Sequence, residues 1–162
     1  KDSVKENIFN ILSHSNLFDI KIKNSSVLDL YSGIGSFGLE CISRDAKHVT
    51  FIEEDFQALD TLKKNLNNLT LVNQTKIINN RIENTSYFDQ CDKYDIIFLD
   101  PPFKDKNFLK NLEIIKFKKI FKKKHIVIIH RQKYSDDKIE KFLKLLFFRD
   151  YGRSRIIFGK FN

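Results

Sequence analysis

The sequence predicts an α/β fold, a mostly parallel sheet layered by helices. Three observations carry this. Apolar strand-like runs alternate with helical patterns along the chain. The first run feeds a glycine-rich turn that opens a helix. Polar residues recur where the runs stop, at Asp29, Glu53, Asn80 and Asp100. In an open parallel sheet, ligands bind beyond the carboxyl ends of the strands. One crevice can therefore collect all four.

The elements follow in order. Ser3 with Glu6 makes a capping box, and Val4, Ile8, Ile11 and Leu12 share a face, so the chain opens with a helix. Residues 23–26 break it. SVLDLY (26–31) reads as a short buried strand. GIGSFGLECISR (33–44) is a glycine turn running into a helix, and HVTFIE (48–53) a second strand. Asp55 caps a helix carrying Leu59, Leu62, Leu66 and Leu69. TKIIN (75–79) is a third strand, 82–88 a short helix or turn, and YDIIFLD (94–100) a fourth strand. A lysine-rich segment follows, with a helix near 107–117. HIVIIH (125–130) is the fifth strand. Residues 135–145 read as a helix, with Ser135, Asp136 and Asp137 near its positive end. The tail reads as a hairpin of two apolar strands around a turn at 151–155.

With 162 residues and no repeat, linker or low-complexity segment, one domain over 1–162 is expected. No apolar run is long enough for a membrane span. The charged start, KDSVKEN, lacks the apolar core of a signal peptide. Cys41 and Cys91 give neither a disulfide framework nor zinc spacing, so a cytosolic protein with reduced thiols and no metal is expected. The net charge of +8 suggests a polyanionic partner, most often nucleic acid. An A/T-rich genome, which favours Lys, Ile, Asn and Phe codons, is the plain alternative.

Gly33, Gly35 and Gly38 make a literal G-x-G-x-x-G, and Glu53 follows 20 residues after Gly33. Alone this is a dinucleotide fingerprint, with pyrophosphate at the helix start and the acid on a ribose. Asp29 weighs against it. This acid ends the strand feeding the loop, where its charge opposes a pyrophosphate and suits a cationic group. S-adenosylmethionine has such an end, an ammonium beside a sulfonium. The glycines then let the backbone approach the methionyl part, Tyr31 and Ser32 belong to the same cofactor-binding loop, and Glu53 accepts from both ribose hydroxyls. The competing reading makes Asp29 an ordinary strand-end acid and the glycines a tight turn. Asn80 reads as the partner of the adenine amino group, with the Arg81 N–H near a ring nitrogen. Asn79 replaces Asn80 if the register differs by one, and a plain polar loop start is the alternative.

Pro101 and Pro102, the only two prolines, stand between Asp100 and Phe103. They stop the strand, fix two φ angles and present no N–H. The carbonyls of Asp100 and Pro101 remain as rigidly aimed acceptors, Asp100 adds a carboxylate, and Phe103 a flat apolar face. That set suits a nucleobase with an exocyclic amine. The four residues are the candidate catalytic set. Hydrogen bonds from the amine to fixed acceptors favour a pyramidal nitrogen whose lone pair can attack a sulfonium methyl in line. Asp100 or water takes the proton afterwards. A carboxylate matches guanine's adjacent N1–H and N2–H₂ donors; an asparagine would match adenine better.

These residues bring a family into view. VLDLYSGIGSFGLECISRDA (27–46), FIEED (51–55) and FLDPPF (98–103) resemble the RsmD-type ribosomal RNA guanine-N2 methyltransferases. DSVKENIFNIL (2–12) resembles that family's first helix and YGRSRIIF (151–158) its closing hairpin. The resemblance implies the class I methyltransferase (Rossmann-like) fold, a three-layer sandwich on a seven-stranded sheet whose last strand is antiparallel. It implies methyl transfer from S-adenosylmethionine to N2 of a guanine in small-subunit ribosomal RNA, in a partly assembled subunit, by a monomer. Asp29, Gly33, Gly35 and Glu53 would carry the donor; Asp100, Pro101 and Phe103 would hold the guanine. The family's basic hairpin and Arg-Pro-Thr-like segment before the first helix have no counterpart in this sequence, so donor binding with poor methylation is expected. Asn80 stands where the family frequently has an acid. His130 stands near another such position, and a structural role is expected for it.

Residues 104–124 hold nine lysines against Asp105 and Glu113. KFKKIFKKK (116–124) is expected to track RNA phosphates beside the pocket; a solvated helix face is the plain alternative. Arg149, Arg153 and Arg155 are weaker candidates for the same role. Competing functions are an adenine-N6 methyltransferase on DNA or RNA, a non-catalytic nucleic-acid-binding module of the same fold, and a dehydrogenase, which Asp29 disfavours.

Overall fold

In the computed structural model, which describes residues 2–14, 19–69, 72–81 and 93–162, the apolar runs pair into a sheet. Its strands are β1 (Ser26–Leu30), β2 (His48–Glu53), β3 (Thr75–Asn79), β4 (Tyr94–Leu99), β5 (Phe121–Gln132), β6 (Lys144–Tyr151) and β7 (Ser154–Lys160). The helices are α1 (Asp2–His14), α2 (Ser36–Ser43), α3 (Phe56–Asn68) and α4 (Phe108–Lys118). Among the described residues the sheet has seven strands in the order β3-β2-β1-β4-β5-β7-β6. β1 to β5 pair in parallel, and β7 runs antiparallel to both its neighbours. The order reverses between β1 and β4, which is the switch point where a crevice opens.

Strand side chains alternate between the faces. Val27, Phe51, Ile96 and Phe98 pack on one side with Ile8, Phe37 and Leu62 from α1, α2 and α3. Leu28, Leu30, Ile97 and Leu99 pack on the other side with Phe108, Leu112 and Ile115 from α4. Both faces are covered, so the central strands read as continuous apolar runs rather than alternating ones. Each such buried aliphatic side chain contributes about 1.5–3 kcal/mol.

The structure departs from expectation in two places. Residues 135–145 do not form a helix. A single 3₁₀ turn, Ile139–Lys141, buries Ile139, and β6 begins at Lys144. The acids expected to open a helix have other partners: Asp137 pairs with Arg131, and the Ser135 hydroxyl donates to Asp137. β5 starts earlier than expected, at Phe121, so 116–124 is not one helix face. α4 ends as Lys119 turns into the left-handed region at φ 53, and the later lysines belong to a strand. Lys122 pairs with Asp95 at 2.9 Å and Lys124 with Asp19 at 2.6 Å. The short element expected at 82–88, and Cys91, lie outside the described residues. Among the described residues no helix is long and apolar enough to cross a membrane.

The helix after the glycine turn lies close against β2. A Cβ built on Gly38 would come within 2.4 Å of the Phe51 ring and 2.8 Å of Val49. Replacing Gly38 with Ala is therefore expected to destabilise the fold by about 1–3 kcal/mol through overpacking. Urea unfolding should show a lower midpoint with an unchanged slope. An unchanged midpoint would mean that α2 can stand off from β2.

Candidate active site

The parallel register sets the strand ends level. Leu30 is opposite both Ile52 and Leu99, and Glu53 is opposite Asn79. Beyond these ends open two adjoining cavities, of about 550 and 350 Å³, that share Tyr31, Asp100 and His130. The larger is lined by Glu53, Asn80, Arg81 and the Asp100–Phe103 turn. The smaller is lined by Asp29, Ser32, Gly33, Ser36 and Lys5. Every sequence-predicted site residue except Gly35 borders one of them. Asn80 rather than Asn79 is the one that faces the cavity.

Asp29 is 1% exposed and accepts a hydrogen bond from the Gly38 N–H at 3.1 Å in the first turn of α2. Burial pushes its carboxyl well above the usual carboxylate range; the Gly38 N–H pulls it back, and the charges of Asp100 and Glu53 push it further up. Tyr31 follows β1 with φ 58, a conformation a bulky residue rarely adopts. Its hydroxyl accepts from Asn111 Nδ2 of α4 at 2.5 Å. Ser32 is buried in the smaller cavity, and its Oγ has no hydrogen-bond partner among the described residues.

The three glycines divide their work. Gly33, at φ 56, has nothing within 4 Å of an added Cβ and faces open space. Gly35, at φ 89, caps α2, and a Cβ there would meet Leu62 at 2.4 Å. Gly35 and Gly38 thus serve helix packing, and Gly33 alone borders the cavity. Glu53 holds this loop. Its Oε1 accepts from the Gly33 N–H at 2.7 Å, and its Oε2 from the N–H groups of Glu54 and Asp55 at 3.1 and 3.0 Å. At Asn80 the side-chain oxygen accepts from the Arg81 N–H at 2.8 Å, so the donor expected to face a ring nitrogen meets the asparagine's own oxygen.

The proline turn has a support that the sequence reading did not find. Arg131, 1% exposed near the end of β5, donates to the carbonyls of Pro102 at 3.1 Å, Phe103 at 2.9 Å and Asp105 at 3.3 Å. Its guanidinium also lies over the Phe108 ring at 4.3 Å and pairs with Asp137 at 2.8 Å. Burial raises the Asp137 carboxyl, but bonds from Arg131, Lys106 and Ser135 outweigh it and hold the group below its ordinary value. Asp100, at the mouth, meets His130 at 3.0 Å. The only hint in the sequence was a lone arginine closing an apolar strand.

The arrangement sets a buried acid, a carboxylate-held glycine loop and an acceptor-rich proline turn around one opening. Comparison with known proteins now bears on it. Residues 1–160 match the model of the family described as Conserved hypothetical protein 95. The chain belongs to this family, the RsmD-type methyltransferases. It is similar to Ribosomal RNA small subunit methyltransferase D of Buchnera aphidicola, with 33% identity over 132 residues, 82% of this chain and 65% of that protein. The chain spans between about half and two thirds of the length of that protein and of three further curated relatives, from Bacillus subtilis, a second Buchnera aphidicola and Haemophilus influenzae. Among solved structures, yhhF from Escherichia coli superposes with a TM-score of 0.82 at 23% identity, covering 100% of this chain and 86% of that one. HI0767 from Haemophilus influenzae superposes with a TM-score of 0.77 at 28% identity, covering 99% and 98%. The fold is that of the class I methyltransferases, with the antiparallel C-terminal strand expected for an RsmD-type chain.

Asp29 yields a pH prediction. Its raised carboxyl favours protonation in the folded state, so its contribution to stability is full at low pH and is lost as pH rises through the elevated value. Asp29→Asn removes the buried charge and should melt higher than wild type near neutral pH, with a flatter pH dependence. Thermal melts between about pH 4 and pH 8 check this. A lower melting point for the variant at neutral pH would mean that the ionised carboxylate stabilises the fold.

Proposed function

We propose that this chain transfers a methyl group from S-adenosylmethionine to the exocyclic N2 of a guanine in small-subunit ribosomal RNA. The observation that carries the reading is that the donor-side wall and the proline turn border one opening, with Tyr31, Asp100 and His130 common to both cavities. Family membership and the ribosomal RNA substrate in the Buchnera relative's name support it.

The residues present fit the donor. Asp29 is a buried acid that makes no ion pair among the described residues, and Ser32 Oγ is an orphaned polar atom beside it. A ligand with an ammonium end answers both. Glu53 and Asn80 both border the larger cavity, and in this reading Glu53 takes the ribose and Asn80 the adenine edge. When bound, the donor supplies an electrophilic sulfonium methyl. The protein's part is positioning. Pro101, which is buried, and Pro102 hold the strand end stiff, and Arg131 fixes the carbonyls that follow. Phe103, 38% exposed, offers a face for the base. Asp100 and the backbone carbonyls beside it take the amine's N–H bonds and aim its lone pair. Asp100 or water then removes the proton that the methylated amine sheds. The carboxylate matches guanine, whose N1–H and N2–H₂ lie side by side.

The test is labelled methyl donor with ribosomal RNA, assembled subunits and DNA, followed by nucleoside mass spectrometry. N2-methylguanosine is expected; N6-methyladenine, or no product with any substrate, would overturn the reading. Asp100→Asn should lower methyl transfer about 10²- to 10³-fold while S-adenosylhomocysteine affinity, read by calorimetry, holds.

The basic segment is a correction. Lys122 is tied to Asp95, five residues before Asp100 and therefore about 17 Å back along β4. Lysines 118–123 thus sit at the end of the sheet remote from the opening. Among the described residues the cations that line the opening are Lys5 and Arg81; further out come Lys104, which follows Phe103, and Lys133 with Arg153, whose backbones are joined at 2.8 Å. Tyr134, 85% exposed, stands with them under the Lys133 ammonium. Reversing Lys133 and Arg153 to Glu should weaken RNA binding about 10-fold or more, with a shallower salt dependence. Reversing Lys118, Lys119, Lys122 and Lys123 should change it little. The opposite ranking in a filter-binding titration would place the RNA on the other end.

A further inference from the structure

His130, near the end of β5, bridges two elements. Its Nδ1 lies 3.0 Å from Asp100 Oδ1 after β4, and its Nε2 2.8 Å from Ser154 Oγ at the start of β7. Phe103 packs edge-on against the ring, with centroids 5.5 Å apart at 86°. The His130 side chain is 14% exposed and that of Asp100 46%. The sheet places these groups. Leu99 is opposite Ile129, which sets Asp100 beside His130, and Ser154 is opposite Gln132, one pleat along on the same face.

The donor and acceptor inventory assigns the chain of hydrogen bonds. An ionised carboxylate only accepts, so Nδ1 carries the hydrogen and donates to Asp100. In the neutral ring Nε2 is then the acceptor and takes the Ser154 hydroxyl hydrogen. One tautomer satisfies all three groups. The effect falls on Asp100. A carboxylate turns easily about its last torsion, which is broad and two-fold. With Oδ1 held by His130, the second oxygen has a set direction at the cavity mouth.

We propose that His130 is a positioning residue for methyl transfer, fixed by Ser154 and holding Asp100 so that its second oxygen meets the acceptor amine. This rests on reading Asp100 as the acceptor-side carboxylate. His130 keeps its own proton throughout; the proton from the amine goes to Asp100 or to water, and no further reactant is needed.

Two measurements test it. Long-range ¹H–¹⁵N correlation on the free protein should find His130 as the Nδ1–H tautomer, and Ser154→Ala should shift that balance toward a mixture. In single-turnover methyl transfer, His130→Leu should slow the chemical step about 10- to 100-fold, as expected for a misplaced reacting group. Its S-adenosylhomocysteine affinity and melting temperature should stay near wild type. His130→Asn, whose amide N–H can replace Nδ1–H, should recover most of the rate. An Nε2–H tautomer in wild type, a Leu variant as fast as wild type, or an Asn variant no better than Leu would each overturn the proposal. The tautomer readout needs no substrate, so it decides the hydrogen-bond chain independently. Failure of the functional reading shows instead as absent methyl transfer by the wild-type protein.

Discussion

The site depends on the parallel register of β1 with its two neighbours. Leu30 stands opposite Ile52 of β2 and Leu99 of β4, so the three strands stop at one level. Tyr31, Glu53 and Asp100 then emerge together, although they lie far apart in sequence. A slip of one residue would exchange the faces of a whole strand and bury polar groups in either core. Both cores resist this, because α1 to α3 cover one face and α4 the other. The apolar packing that makes the fold stable is thus also what aligns the polar rim.

Within that rim, three of the acids that line the opening, Asp29, Glu53 and Asp100, are each accommodated differently. Asp29 is buried and its charged form is disfavoured. Glu53 is surrounded by backbone N–H groups from the glycine loop and from the start of α3. Asp100 remains near solvent with a histidine on one oxygen. In the proposed function, an acidic pocket inside a chain of net charge +8 would separate two kinds of recognition. The small cationic donor would meet carboxylates, and the RNA, approaching from outside, lysine and arginine.

The proline turn shows why such a rim needs help. Two successive residues without N–H groups cannot be tied by a sheet ladder. The turn is held from the carbonyl side, by a guanidinium that reaches the carbonyls of Pro102, Phe103 and Asp105 and is itself paired with Asp137. Burying such a pair is costly unless its remaining hydrogen bonds are satisfied, and here the guanidinium makes three more besides the one to Asp137. The residues that complete the pair occupy 135–137, where a helix start was the natural reading. Ser and Asp suit a cap and suit an anchor for arginine equally well, and only the three-dimensional neighbours choose between them.

The order of the seven described strands, the helices α1 to α4, the crossover topology and the two loops that build the opening were legible in the residues themselves; the helix expected at 135–145 was not there to be read. They rest on short-range chemistry: apolar periodicity, glycine where the backbone must turn or pack closely, proline where a ladder must stop. Asp29, Glu53 and Asp100 were legible for the same reason, as polar residues ending apolar runs. The partners of those groups were not. Arg131 meets Pro102 across 29 positions, His130 meets Asp100 across 30, and Lys122 meets Asp95 across 27. Local residue pattern is enough to say which segments become strands and which residues stand at their ends. Which side chain supports which, and that lysines 118–123 lie away from the opening, emerges only in the folded arrangement, because strand direction and register across the sheet are set by packing between distant segments.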